Sequence, residues 1–169
     1  MNLKNFIRSI ADYPKKGILF RDITTLIKDE KAFKETINQI VEKSKKFEFN
    51  KIAAIESRGF VFASAVSYIL NKPFIMLRKK NKLPADVHSI DFELEYGTAT
   101  IEVHKDSINQ NDTVLIIDDL IATGGTAEAA AKLVEISKGK VSAFIFVINL
   151  FDLGAVSYTH LRAHETLLY

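Results

Sequence analysis

Two adjacent carboxylates, Asp118 and Asp119, stand between an apolar run and a run of small residues. Before them, Val114-Leu115-Ile116-Ile117 reads as a buried parallel strand. After them come Leu120-Ile121, then Ala122-Thr123-Gly124-Gly125-Thr126, then an alanine-rich helical stretch to Glu135. Strand, acid pair, glycine loop and helix together suit a phosphorylated ligand. Loop N–H groups and a helix N-terminus supply partial positive charge for a phosphate. Gly124 and Gly125 permit close backbone approach, with φ > 0 where it is needed. Thr123 and Thr126 add hydroxyl donors. Paired acids accept hydrogen bonds from vicinal hydroxyls or help to hold a hydrated cation. An ordinary βα turn with an Asp or Thr cap would use the same residue types, but the length of the string favours a ligand. It has neither the GxxxxGKS/T of a P-loop nor the GxGxxG of a dinucleotide fold.

Other clusters carry candidate chemistry. Glu56-Ser57-Arg58-Gly59 follows the apolar segment Lys51 to Ile55. Ser57 suits a helix cap, and Arg58 offers a fork of charge-assisted donors to an anion. Arg78-Lys79-Lys80-Asn81-Lys82-Leu83-Pro84 is a solvated charge run or a cationic wall. Leu94-Glu95-Tyr96-Gly97 lies inside an alternating stretch and suits the tip of an edge hairpin. In Ile18-Leu19-Phe20-Arg21-Asp22, Phe20 is either core or a stacking surface.

The elements that must position these residues follow from periodicity. Leu3, Phe6, Ile7 and Ile10 have helical spacing, so Asn2 to Ile10 is predicted helical. Asp29 to Lys46 is amphipathic, with Phe33, Ile37, Ile40 and Val41 on one face. Lys51 to Ile55 is a strand, Phe60 to Leu70 a helix, and Pro73 to Leu77 a strand. Arg78 to Ser89 reads as a loop, and Ile90 to Val103 as a hairpin-like flap. The helix after the acid pair ends at Gly139, and Val141 to Ile148 is the last strong strand. This alternation predicts an α/β fold, a parallel sheet flanked by helices with right-handed crossovers. Ligands bind such sheets beyond the carboxyl ends of the strands. The segments after Ile55, Leu77, Ile117 and Ile148 all fall at that edge.

Composition sets bounds. The 169 residues, 47% hydrophobic and 26% charged, suit one globular domain. A net charge of +2 says little about partners, but the lack of a long basic stripe argues against a nucleic-acid partner. Zero cysteines exclude disulfides and thiolate metal sites and fit a reducing compartment. The segment MNLKNFIRSI is too polar for a signal peptide, and no apolar run is long enough to span a bilayer. A cytoplasmic location without a membrane partner is expected.

The string IIDDLIATGGTAEA resembles the PRPP-binding motif of type I phosphoribosyltransferases, in the form carried by the branch that acts on adenine. The likeness extends from Tyr13 to Gly154. It implies a type I phosphoribosyltransferase fold with a small N-terminal hood and a flexible flap. It also implies transfer of a phosphoribosyl group from PRPP to adenine, giving AMP and pyrophosphate. Under that likeness Asp118 and Asp119 hold the ribose, and Ala122, Thr123, Gly124, Gly125 and Thr126 hold the 5′-phosphate. Ser57 and Arg58 form a pyrophosphate loop whose Glu56–Ser57 peptide is often cis. Arg78, Lys79 and Lys82 belong to an RKxxKLP segment set against the leaving pyrophosphate, with Arg78 and Lys82 favoured. Leu94-Glu95-Tyr96-Gly97 matches a lid in which Glu95 manages a purine proton and Tyr96 excludes water. Phe20 stacks on the base, the backbones of Leu19 and Arg21 read its edge, and Leu150 flanks the other ring face. Magnesium is implied, bound mainly through PRPP and water and with no firm protein ligand; a homodimer is implied too. The alternatives are another purine as acceptor, or a regulator that binds PRPP without catalysis. Such regulators usually carry a DNA-binding domain.

The C-terminal stretch reads differently. Val156 to Thr166, VSYTHLRAHET, resembles the translated read-through of a transposase adapter used in sequencing libraries. Residues 1–154 are therefore expected to form the phosphoribosyltransferase domain, truncated at its C-terminus. Residues 155–169, with His160 and His164, are expected to be a non-native tail outside the fold. Loss of a final helix and strand would expose a sheet edge.

Overall fold

The computed structural model describes residues 1–94 and 97–150, and the backbone of 164–168. A 3₁₀ turn at Leu3–Phe6 leads into β1 (Arg8–Ala11), which pairs antiparallel with β2 (Leu19–Asp22) as a separate two-stranded sheet. Then follow α1 (Thr24–Ile27), α2 (Glu30–Ser44), β3 (Lys51–Ile55), α3 (Arg58–Leu70) and β4 (Phe74–Lys79). After these come β5 (Val87–Leu94), β6 (Gly97–His104), β7 (Thr113–Ile121), α4 (Gly125–Ile136), β8 (Lys140–Asn149) and β9 (His164–Leu168). The main sheet has the order β5-β6-β4-β3-β7-β8-β9. Strands β4, β3, β7, β8 and β9 run parallel, and the β5–β6 hairpin joins antiparallel through β4.

The central strands are continuous apolar runs because both faces of the sheet are covered. Ala53 and Ile55 of β3, Val114 and Ile116 of β7, and Phe144 and Phe146 of β8 pack with α4. Their neighbours Ile52, Ala54, Leu115, Ile117, Ala143 and Ile145 pack with α1, α2 and α3 on the other face. Asp29 caps α2 by accepting from the N–H groups of Lys31 and Ala32.

Local pattern and structure part company in several places. The predicted helix over Asn2 to Ile10 is a single 3₁₀ turn followed by β1. Too short to be stable as a helix alone, the segment yields to pairing with β2. The predicted loop from Arg78 is shorter than expected, since β4 runs to Lys79 and β5 begins at Val87. Gly139 does not supply the left-handed residue after α4; Lys138 does, with φ 70°. Gly139 is small for a packing reason, because a Cβ there would lie 2.6 Å from Ile108 Cγ2. His164–Leu168, expected to lie outside the fold, forms β9 on the edge of β8. An open strand edge offers unpaired N–H and C=O groups, and backbone pairing with it requires no particular side chains.

Candidate active site

Strand β7 carries the acid pair inside the sheet rather than in the loop beyond it. Ile116 packs on the α4 face and Ile117 on the α2–α3 face, yet Leu120 packs on the α2–α3 face and Ile121 on the α4 face. Strict alternation would give the reverse assignment for the second pair. The strand therefore turns over at Asp118–Asp119, and both residues line a cleft of about 470 Å³ at its end.

Leu120 and Ile121 continue the wall, and Ala122, Thr123, Gly124 and Thr126 form its next side. Gly124 has φ 89°, a left-handed conformation that suits glycine, and it caps α4 without a side-chain hydrogen bond. The first N–H groups of α4 have no acceptor within their own helix, so they are open to water or an anion at the mouth of the loop. Gly125 does not line this cleft. A Cβ there would lie 3.3 Å from the Glu93 carbonyl of the hairpin.

The opposite wall is the β3–α3 turn. Its Glu56–Ser57 peptide is cis, as the family likeness implied. Ser57 precedes α3 without a side-chain cap and lines the cleft beside Arg58. Arg58 Nε lies 2.9 Å from Asp119 Oδ2, and the guanidinium carbon sits 5.4 Å from the centre of the Phe20 ring. The Arg58 N–H is not aligned on that oxygen, so buried Asp119 Oδ2 accepts no hydrogen bond among the described residues. Asp119 N–H donates to Asp118 Oδ1 at 2.9 Å. Helix α3 presses directly on the pair: a Cβ on Gly59 would meet Asp118 Oδ1 at 2.8 Å.

The electrostatics follow from this packing. Burial pushes the Asp118 carboxyl well above its ordinary range, and the charge of Asp119 pushes it further. Burial also raises Asp119, against the pull of Arg58. The pair is thus poorly stabilised as two anions until hydroxyl donors or cations reach it.

Phe20 enters the cleft from β2, braced edge-on by Tyr13 at 5.2 Å. Leu19 and Arg21 flank it on β2 away from the cleft lining; Arg21 Nη1 donates to Ser9 Oγ. Leu150 is half-buried, packs with the α2–α3 face, and its N–H donates to the Ile121 carbonyl at 2.9 Å. Within the basic segment Lys79 lines the cleft, whereas the two favoured residues do not. Arg78 is turned onto the Glu56 carboxylate and the Lys82 carbonyl, and Lys82 is exposed. Glu95 and Tyr96 lie outside the described residues, between β5 and β6. Two residues with structural parts at the site, Glu56 and Gly59, had been given no role from sequence. Their signal was position: each adjoins Ser57-Arg58 at the end of a buried strand.

A family model described as the phosphoribosyl transferase domain matches residues 23–153. The adenine phosphoribosyltransferase of Pelagibacter ubique is 80% identical over 154 residues, covering 91% of this chain and 88% of that protein. This chain belongs to the adenine phosphoribosyltransferase family. The crystal structure of the family member from Thermoanaerobacter pseudethanolicus has 44% identity and a TM-score of 0.94, covering 98% of this chain and 96% of that one. The Saccharomyces cerevisiae enzyme, solved with an imino-altritol bisphosphate and adenine, has 32% identity and a TM-score of 0.90, with 98% and 96% coverage. Within the family fold, the cleft described above falls at the carboxyl ends of the parallel strands, where ligands of such sheets bind.

Proposed function

We propose that the chain transfers the phosphoribosyl group of PRPP to adenine, releasing AMP and pyrophosphate in purine salvage. The observation that carries this reading is the gathering of Phe20, Arg58, Lys79, the acid pair and the glycine loop around one cleft. The names of the relatives agree with it. The 5′-phosphate takes the loop N–H groups and the hydroxyls of Thr123 and Thr126. Asp118 and Asp119 accept from the ribose hydroxyls and, once ionised, face the positive charge that develops at the anomeric carbon. Ser57, Arg58 and Lys79 meet the departing diphosphate, with Lys82 nearby on the same segment. Phe20 stacks on adenine, with Leu150 on the other ring face and the backbones of Leu19 and Arg21 along the base edge. Glu95 manages the purine proton, and Tyr96 closes the lid against water.

Magnesium fits this donor set. The cleft offers hard carboxylate oxygens on Asp118 and Asp119, one of them buried without an aligned donor among the described residues. These would hold the water shell of the ion, and PRPP oxygens would complete it. When bound, the ion neutralises charge on the leaving diphosphate. On the same reading the enzyme works in the cytoplasm as a homodimer. Residues 1–154 belong to the phosphoribosyltransferase domain, and 155–169 derive from adapter sequence; a genomic read continuing unchanged past Gly154 would overturn that division.

The test is a magnesium-dependent assay of nucleotide formation from PRPP and each purine base. AMP from adenine is expected, with far slower use of hypoxanthine and guanine. PRPP binding without turnover on any base would indicate a regulator.

A further inference from the structure

Phe20 reaches the cleft from a lightly anchored element. Its strand, β2, pairs with β1 in a two-stranded sheet separate from the main one. A lone two-stranded ribbon is marginally stable in water, so the ties at its ends decide where it sits. At the loop end, Asp12 Oδ1 accepts from the Gly17 N–H at 2.6 Å. At the other end stands buried Asp22, paired in register with Arg8. Asp22 Oδ2 accepts from Arg8 Nε at 2.9 Å and from Arg8 Nη2, while Oδ1 accepts from the Thr24 N–H at 2.9 Å. Ile23 and Leu26, next to that N–H in sequence, are buried in the core. One carboxylate thus joins both strands of the ribbon to the first turn of α1.

We infer that Arg8 and Asp22 are positioning residues for the base site, holding β2 so that the Phe20 ring stands where adenine stacks. The inference rests on the phosphoribosyl-transfer reading and deepens it. Residues two apart on a strand share a face, so Asp22 and Phe20 lie on one face of β2, opposite Arg8 and Ile10 of β1. The clamp is therefore the next cross-strand pair on the ring's own face, yet neither Arg8 nor Asp22 lines the cleft. Tyr13 and Arg58 approach the ring itself, whereas the clamp fixes the strand beneath it. A guanidinium fork on one carboxylate oxygen is a directional, charge-assisted tie, suited to fixing a strand. The Asp22 carboxyl is held at about 2, first by the Thr24 hydroxyl and N–H and then by Arg8, so the pair stays charged at neutral pH.

The test is steady-state kinetics on the full chain, varying each substrate in turn, for Arg8→Ala, Phe20→Ala and the two combined. The Arg8 side chain is 58% exposed, so its loss leaves no buried cavity. Phe20→Ala removes the stacking surface, whereas Arg8→Ala only lets it wander, so KM for adenine is expected to rise about fivefold in Arg8→Ala, less than in Phe20→Ala. KM for PRPP and kcat should stay within about twofold. In the Phe20→Ala background, Arg8→Ala should shift KM for adenine by less than about twofold, because the ring through which the clamp acts is gone. Losses that multiply would mean that Arg8 meets the base itself, and would overturn the inference. So would a wild-type KM for adenine in Arg8→Ala, or an equal rise in both KM values, which marks general loosening. Should Arg8→Ala fail to fold, Asp22→Asn carries the test. It keeps an oxygen for the Thr24 N–H and removes the charge that holds Arg8. The same split between the two KM values is expected, and a wild-type KM for adenine there overturns the inference. A chain that makes no AMP, or a Phe20→Ala variant with wild-type KM for adenine, fails the activity or base-site reading and this inference with it. An active chain that loses adenine affinity in Phe20→Ala but not in Arg8→Ala fails the inference alone.

Discussion

Gly59→Ala probes whether α3 positions the acid pair. The new methyl group would lie 2.8 Å from Asp118 Oδ1 and 3.1 Å from the Ile117 carbonyl. Reaching ordinary contact needs a retreat of about 0.6 Å by α3 or Asp118. The Ile117 carbonyl belongs to a central strand and cannot yield easily, so most of the movement falls on Asp118 and on Arg58 one residue before. Overpacking of this kind costs about 1–3 kcal/mol. In a chain of this size that lowers the melting point by roughly 2–10 °C. Misplacement by 1 Å at a reacting centre costs on the order of 100-fold in rate, so about tenfold is expected for this smaller shift.

Gly139→Ala is the matched control. Its methyl group would meet Ile108 Cγ2 at 2.6 Å and Val134 Cγ1 at 3.2 Å, at the start of β8 and so at the sheet edge away from the cleft. Both variants should melt lower than the parent. Turnover per folded molecule should fall only in Gly59→Ala. Calorimetry, with kcat and KM for PRPP measured well below both melting points, separates the two effects. Wild-type turnover in Gly59→Ala, or an equal loss in Gly139→Ala, would refute the reasoning.

Further outcomes follow from charge and stacking. Burial raises Asp118, so the folded chain binds more protons there than the unfolded one. The stability it lends is full below the ordinary carboxylate range and fades as pH rises through the raised value. Asp118→Asn should therefore melt higher than the parent at neutral pH while making AMP about 100-fold more slowly; a lower melting point at pH 7 would contradict this. Asp22 behaves with the opposite sign: hydrogen bonds from the Thr24 side chain and N–H, then from Arg8, hold it at about 2. Its contribution is present above 3.8 and is lost as pH falls towards about 2, so acid titration of melting in Asp22→Asn should be shallower over that range. Phe20→Ala should raise KM for adenine about 10- to 100-fold, from the loss of base stacking, with KM for PRPP little changed. Steady-state kinetics varying each substrate decides it, and an unchanged KM for adenine would remove Phe20 from the base site.

What could be read from the chain divides along a physical line. The central sheet was legible because its strands are buried on both faces: Lys51–Ile55 was predicted with the bounds it has, and the pieces from Val114 and Val141 fell inside longer strands. Where one local pattern competes with a distant partner, the partner decides. Leu3, Phe6, Ile7 and Ile10 have helical spacing, but the register of Arg8 with Asp22 and Ile10 with Phe20 makes β1. A local spacing pattern cannot contain the information that β2 lies alongside. Gly139 is the same kind of case, small for Ile108 across space and not for the end of α4.

The site shows the division most sharply. Residue types singled out Asp118 and Asp119, the family resemblance added Arg58 and Phe20, and all of them line one cleft. Their orientation was not legible, because it comes from the inversion of β7 between Ile117 and Leu120. Ending the strand at Ile117 leaves the acids in a loop, free and solvated, with ordinary acidity. Carried within β7, they are held under α3 and pushed toward the protonated form. A solvated pair would ionise with no help from a ligand, whereas the buried pair needs one. On the proposed function, substrate hydroxyls and cations that stabilised both anions would therefore do more than fill a pocket. They would shift the protonation of the pair, so PRPP affinity should rise with pH as these carboxyls ionise.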